Sequence, residues 1–232
     1  MTSVEDSAPN GAGGGSGARR PVVLVHGWLP KPWIWDAFRA ALVRAGWAGR
    51  DLHAVTYDSL TMRVPDAAAV VDEAIERAAA DSPDGRVDVI AHSQGVLAAR
   101  YAVKLGDSRA QVGTFVSLAG INHGTKIAVL ASLNPIYRDL VPGSPLLQQL
   151  NAEPEAPPPT RWITYRVRED DRFAPPDGSE LAGADNRTAP RSVSHAGLTG
   201  HRPTVNEDVA DLVVTAPTSG LAAAGGPARS GP

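Results

Sequence analysis

The chain has 232 residues, a net charge of −3 and no cysteine. That length suits one domain with a sizeable core. The charge balance gives no electrostatic case for nucleic acid or an anionic membrane surface, and the lack of thiols excludes disulfides, thiolate catalysis and zinc–thiolate sites.

Residues 1–19 are Gly/Ser-rich and acidic early, with no cationic start followed by an apolar run. They read as a disordered segment and not as a signal peptide, so a cytoplasmic location is expected, with export left open. Pro21 to Val25 is a short apolar strand that ends at His26-Gly27. A helix follows from Trp33 to Ala45, with Ile34, Phe38 and Leu42 at four-residue spacing. Leu52 to Tyr57 is the next strand. Asp66 to Ala80 is a helix expected to bury Ala69, Val70, Ala74 and Ile75. Val87 to Ala91 is a third strand and Gly95 to Leu105 a third helix. Gly113 to Leu118 and Trp162 to Val167 are further strands, and Val205 to Val214 is a closing helix. Residues 125–159 break this rhythm with short apolar helices and the proline-rich EPEAPPP. They read either as packing helices or as a lid over an apolar cleft. The tail, 216–232, reads as disordered. The folded domain is expected over 20–215. No apolar run is long enough to cross a bilayer.

Apolar strands alternating with helices imply an α/β architecture, a mostly parallel sheet covered on both faces. Sites in such sheets form at the carboxyl ends of the strands. His26-Gly27, Ser93 and the residues after Val167 all fall there. Ala91-His92-Ser93-Gln94-Gly95 is a strand that turns directly into a helix, with small residues where the two backbones come close. That pattern exposes a serine at a sharp elbow, with Ala91 in place of the usual first glycine. As an alternative, Ser93 merely caps the helix.

A serine nucleophile needs a base, and the base an orienting acid. The order expected here is serine, acid, histidine. Arg168 to Pro175 follows a strand end and offers Asp171, with Asp170 as the close rival and Glu169 and Asp177 as lesser ones. His195, among small residues in Val193 to Leu198, is the expected base, with His201 as the alternative. His26, His53, His92 and His123 read as structural groups, although His92 could line the cleft. The oxyanion needs two N–H donors. Gln94 follows the nucleophile, and Trp28 lies in the loop after the first strand. Trp28, Leu29 and His92 are the expected substrate-binding residues. Trp35 is expected to pack with Phe38 under the sheet.

The segments PVVLVHGW, VDVIAHSQG, LAGINHGT, DDRFAP and VSHAGL together resemble the α/β-hydrolases, and among them small bacterial lipases and esterases with an A-H-S-x-G elbow. LVPGSPLLQQLN is similar to a loop–helix segment of actinobacterial class 2 lipases. The resemblance implies an α/β-hydrolase fold with a triad of Ser93, Asp171 and His195, oxyanion donors Trp28 and Gln94, no cofactor and no metal. It implies a serine hydrolase that cleaves carboxylic esters with an apolar acyl group, acting as a monomer on a small ester or lipid. The alternative is a tailoring enzyme that uses the same site for acyl transfer, lactonisation or elimination.

Overall fold

The computed structural model describes residues 19–28, 33–130, 133–167, 173–174, 176–189, 194–195 and 198. The expectations for residues 1–18, the closing helix 205–214 and the tail lie outside these residues.

In chain order the elements are β1 (Val22–Val25), α1 (Asp36–Arg44), β2 (Leu52–Val55), α2 (Val64–Ala80), β3 (Val87–His92), α3 (Gly95–Lys104), β4 (Val112–Leu118), α4 (Ile127–Leu130), α5 (Pro135–Arg138), α6 (Pro145–Leu150), β5 (Arg161–Arg166), α7 (Pro176–Ser179) and β6 (Asp185–Thr188). The six strands form one sheet in the order β2-β1-β3-β4-β5-β6. Every pairing in it is parallel. The chain starts inside the sheet, goes outward to β2, then crosses back over β1 to β3. The strand order therefore reverses between β1 and β3. In open parallel sheets the carboxyl ends at such a reversal are where ligands bind, because the following connections leave in opposite directions.

Strands buried on both faces should divide their side chains by alternation, and they do. Val23, Val25, Val89 and Ala91 join Val71 and Ile75 of α2 in one apolar cluster. Val22, Leu24 and Ile90 join Phe38 and Leu42 of α1 in the other. Trp35 lies in that second cluster and meets Phe38 edge-on, with ring centroids 5.7 Å apart. It packs under the sheet as expected.

The expected buried face of α2 needs correction. Val64, Ala67, Ala68, Val71, Ile75, Ala78 and Ala79 are buried, whereas Ala69 is exposed and Val70 and Ala74 are only half-buried. An alanine-rich helix gives weak periodicity, because small side chains sit acceptably on either face. The larger Val71 and Ile75, four residues apart, decide the orientation.

The segment after β4 divides in two. α6 is a packing helix: Leu146, Leu147 and Leu150 are buried, and Ser144 caps its start by accepting from the Leu147 N–H. Arg100 and Lys104 of α3 both donate to the carbonyl of Leu150 at its far end. Cations suit a helix C-terminus. The earlier part, α4 and α5, leaves Leu130 and Leu133 about nine-tenths exposed. The backbone bond from the Thr125 N–H to the Leu140 carbonyl closes its base. Among the described residues, no helix is long and apolar enough to cross a membrane.

Candidate active site

Ser93 sits on the turn from β3 into α3 with φ of 54°, in the left-handed region that a residue with a β-carbon enters only at a cost. Three contacts hold it there. The Ser93 N–H donates to the Leu118 carbonyl at the end of β4, 2.9 Å away. The Val96 N–H donates back to the Ser93 carbonyl at 3.2 Å. The β1 loop closes against the elbow, because Gly27 and Gly95 have no side chains. A β-carbon on Gly27 would lie 2.8 Å from the Ser93 β-carbon, and one on Gly95 would lie 2.0 Å from the His26 carbonyl oxygen. The two glycines thus allow the carboxyl ends of β1 and β3 to approach at the switch point.

His195 comes to the elbow from the far end of the chain. Its Nε2 is 2.8 Å from Ser93 Oγ. A hydroxyl that donates to an imidazole nitrogen is set up to lose its proton to that ring. The Phe173 ring lies against the His195 ring, 5.4 Å between centroids, and is half-exposed on its outer side. Sequence reasoning did not assign Phe173 a role. Its place two residues after Asp171, in the loop expected to carry the acid, was the available signal.

The acid itself lies outside the described residues: Asp171, Asp170 and Glu169 are not among them, and of Asp177 only the backbone is. His201 and Leu29 also lie outside. The described flank of this loop is tied firmly to the β4 side of the sheet. The Ser179 hydroxyl donates to the Ala174 carbonyl, the Asn122 amide donates to the Ser179 carbonyl, and the His123 N–H donates to the Gly178 carbonyl.

Trp28 and Gln94 stand on the two sides of the Gly27–elbow contact. The Gln94 N–H begins α3, where unpaired backbone donors favour negative charge. The Gln94 side chain turns away and donates to the Ser59 carbonyl at 3.4 Å. The Trp28 indole is half-exposed.

His26 is structural, as expected. Its ring stacks on Tyr57 with centroids 4.4 Å apart, and its Nδ1 donates to the Gly27 carbonyl at 2.8 Å. Burial lowers its pKa and outweighs the opposing effect of that bond, so the ring is held neutral. The Tyr57 hydroxyl donates to the His26 carbonyl at 2.6 Å, and burial raises its pKa. The pair fixes the peptides that lead into the Trp28 loop. His123 donates to the Glu180 carbonyl. Among the described residues, no cluster of histidine and acidic side chains could hold a metal ion.

A parallel sheet, a strained serine at its switch point and a histidine on the serine hydroxyl together define an α/β-hydrolase. A family model described as Lipase (class 2) matches residues 19–175. The chain belongs to the class 2 lipase family. Solved structures with the same fold include Aspergillus fumigatus lipase B, 20% identical with a TM-score of 0.68 over 90% of this chain and 56% of that one. The mature form of Bacillus licheniformis lipase BlEst2 is 15% identical with a TM-score of 0.67, over 85% of this chain and 93% of that one. A metagenomic carboxyl esterase, MGS0156, is 17% identical with a TM-score of 0.59, over 83% and 75%. The chain thus spans little more than half the length of the fungal lipase.

Proposed function

We propose that the protein hydrolyses carboxylic esters with an apolar acyl group through an acyl-enzyme on Ser93. The observation that carries this reading is the 2.8 Å bond between Ser93 Oγ and His195 Nε2 at the sheet's switch point. His195 takes the Ser93 proton as the hydroxyl attacks the ester carbonyl. Asp171 orients the ring and stabilises the imidazolium. The N–H groups of Trp28 and Gln94 receive the negative charge that develops on the carbonyl oxygen. His195 then protonates the leaving alcohol. Water, activated by the same ring, releases the acid from Ser93.

The apolar preference rests on Trp28 and Phe173, which present aromatic surface beside the elbow and the histidine. The chain works without a cofactor in this reading and as a monomer, with Trp28 and Leu29 lining the substrate path; His92, 6% exposed with its ring against His195, is not counted with them.

Hydrolysis of p-nitrophenyl esters from acetate to palmitate, with Ser93→Ala beside the parent, tests this. The expected result is turnover that peaks at medium or long chains and is lost in the variant, a drop on the order of 10⁶-fold if the triad acts as a unit. Turnover retained by Ser93→Ala would overturn the acyl-enzyme.

A further inference from the structure

His92 touches His195. Its Nε2 lies 3.0 Å from the His195 carbonyl oxygen, and the two rings are 5.1 Å apart at a tilt of 57°. A carbonyl oxygen only accepts, so His92 Nε2 carries the proton of this bond. His92 is 6% exposed and is the last residue of β3, paired in register with Leu118 of β4. It is also the residue directly before Ser93. Two consecutive residues of the rigid elbow therefore grip one residue of a distant loop. Ser93 meets the His195 ring at Nε2, and His92 meets its backbone.

We propose that His92 is a positioning residue: its imidazole anchors the backbone of His195 and so fixes the reach of the base to the nucleophile. This rests on the Ser93–His195 reading of the site. His195 lies outside any helix or strand, so nothing in regular secondary structure sets its distance from Ser93. A bond from the nucleophile's own strand does so directly. Because the peg and the nucleophile share one peptide unit, a movement of the elbow carries the base along with it. Misplacing a catalytic group by about 1 Å costs on the order of 10²-fold. The peg therefore acts on the chemical step and leaves substrate binding almost untouched.

The test compares His92→Ala, His92→Gln and the parent. Glutamine places an N–H donor at nearly the distance of the imidazole Nε2, so it can remake the bond to the His195 carbonyl, and alanine cannot. The readouts are kcat and KM on p-nitrophenyl butyrate, the rate at which a fluorophosphonate labels Ser93, and the thermal midpoint of each variant. The expected result for His92→Ala is a kcat roughly 10- to 100-fold lower with KM within about twofold, and slowed labelling. His92→Gln should recover most of the kcat. Unchanged kcat in His92→Ala would overturn the proposal. So would equal losses in both variants with correct folding, which would mean that the ring matters only as packing. Labelling of Ser93 in the parent tests the underlying site separately: its absence would sink the nucleophile and not merely the peg.

Discussion

A β-carbon on Gly95 would stand 2.0 Å from the carbonyl oxygen of His26 and 3.0 Å from that of Val25. Both obstacles are backbone, of the last residue of β1 and of the residue after it, so neither can swing aside. Gly95→Ala must separate β1 from the start of α3 or deform the elbow. A loss of about 3 kcal/mol or more is expected in denaturant unfolding, together with loss of fluorophosphonate labelling. Gly27→Ala meets the Ser93 β-carbon at 2.8 Å and the His92 carbonyl at 2.9 Å, so its main effect falls on the nucleophile. A fully active, stable Gly95→Ala protein would mean that the approach of β1 to α3 is looser than described.

The strain at Ser93 makes a second expectation. The left-handed region costs a residue with a β-carbon about 1–2 kcal/mol, and glycine enters it freely. Ser93→Gly and Ser93→Ala both remove the hydroxyl, and both should be inactive. Ser93→Gly should nevertheless be about 1 kcal/mol more stable than Ser93→Ala at φ of 54°. Equal midpoints in urea would argue that the elbow relaxes once the hydroxyl is gone.

The elements legible in the sequence were those with strong local signals. The five strands through β5 and the helices α1 to α3 emerge within a few residues of their expected bounds, because most are short segments rich in apolar residues between turn signals. Ser93 and His195 stood out because the elbow needs small neighbours and the base follows in chain order, and the structure joins them at 2.8 Å. The buried face of α2 was misread because alanine marks a face weakly. The grip of His92 on His195 was not legible, since it is made between residues 103 positions apart and by a backbone atom. The same is true of the network around Arg100, which reads in sequence as one more polar residue on a helix.

Arg100 is fully buried on α3. It donates to the carbonyls of Asn122 and Leu150 and to the side-chain oxygen of Asn151. Burial lowers its pKa to about 10, with nearby Glu155 opposing, so it remains charged at neutral pH. Removing it would leave the carbonyls of Leu150 and Asn122 with only Lys104 and the Asn151 amide as donors, and the Asn151 side-chain oxygen without the guanidinium. Arg100→Met, of similar length, should cost about 1–3 kcal/mol in urea unfolding. Arg100→Lys should fall between, because one ammonium cannot reproduce the fork of the guanidinium. A neutral result for Arg100→Met would mean that water replaces the network.

Asp88 lies at the opposite end of the sheet from Ser93, in the first half of β3. Burial raises its pKa to about 6, although Arg20 at 3.9 Å and the Thr114 N–H favour the charged form. A carboxyl whose folded pKa lies above its unfolded value binds more protons in the native state. The folded protein is therefore favoured at low pH and loses stability as pH rises from about 4 to about 6. The shift of roughly two units bounds the effect at about 3 kcal/mol. Asp88→Asn resembles the protonated form and can still accept from Thr114. Relative to the parent it should gain stability between pH 5 and pH 8, read as the difference of urea midpoints at the two values. A constant difference across that range would place the Asp88 pKa near its unfolded value.

Leu130 and Leu133 are 90% and 91% exposed. Single exposed leucines are ordinary, but these two share one short excursion at the carboxyl edge of the sheet. Its base is held shut by the Thr125–Leu140 backbone bond, and Arg63 makes two bonds to the carboxylate of Asp139 beside it, at 3.1 and 2.6 Å. Both side chains already face solvent, so entering an apolar phase removes nothing from the core. Burying two leucine side chains is worth about 3 kcal/mol or more. The double variant Leu130→Ser, Leu133→Ser should therefore keep its kcat/KM on dissolved p-nitrophenyl acetate and lose at least about tenfold in rate on an emulsified long-chain ester. Equal losses on both substrates would make the excursion part of the acyl cleft, and no loss on either would make it an ordinary surface loop.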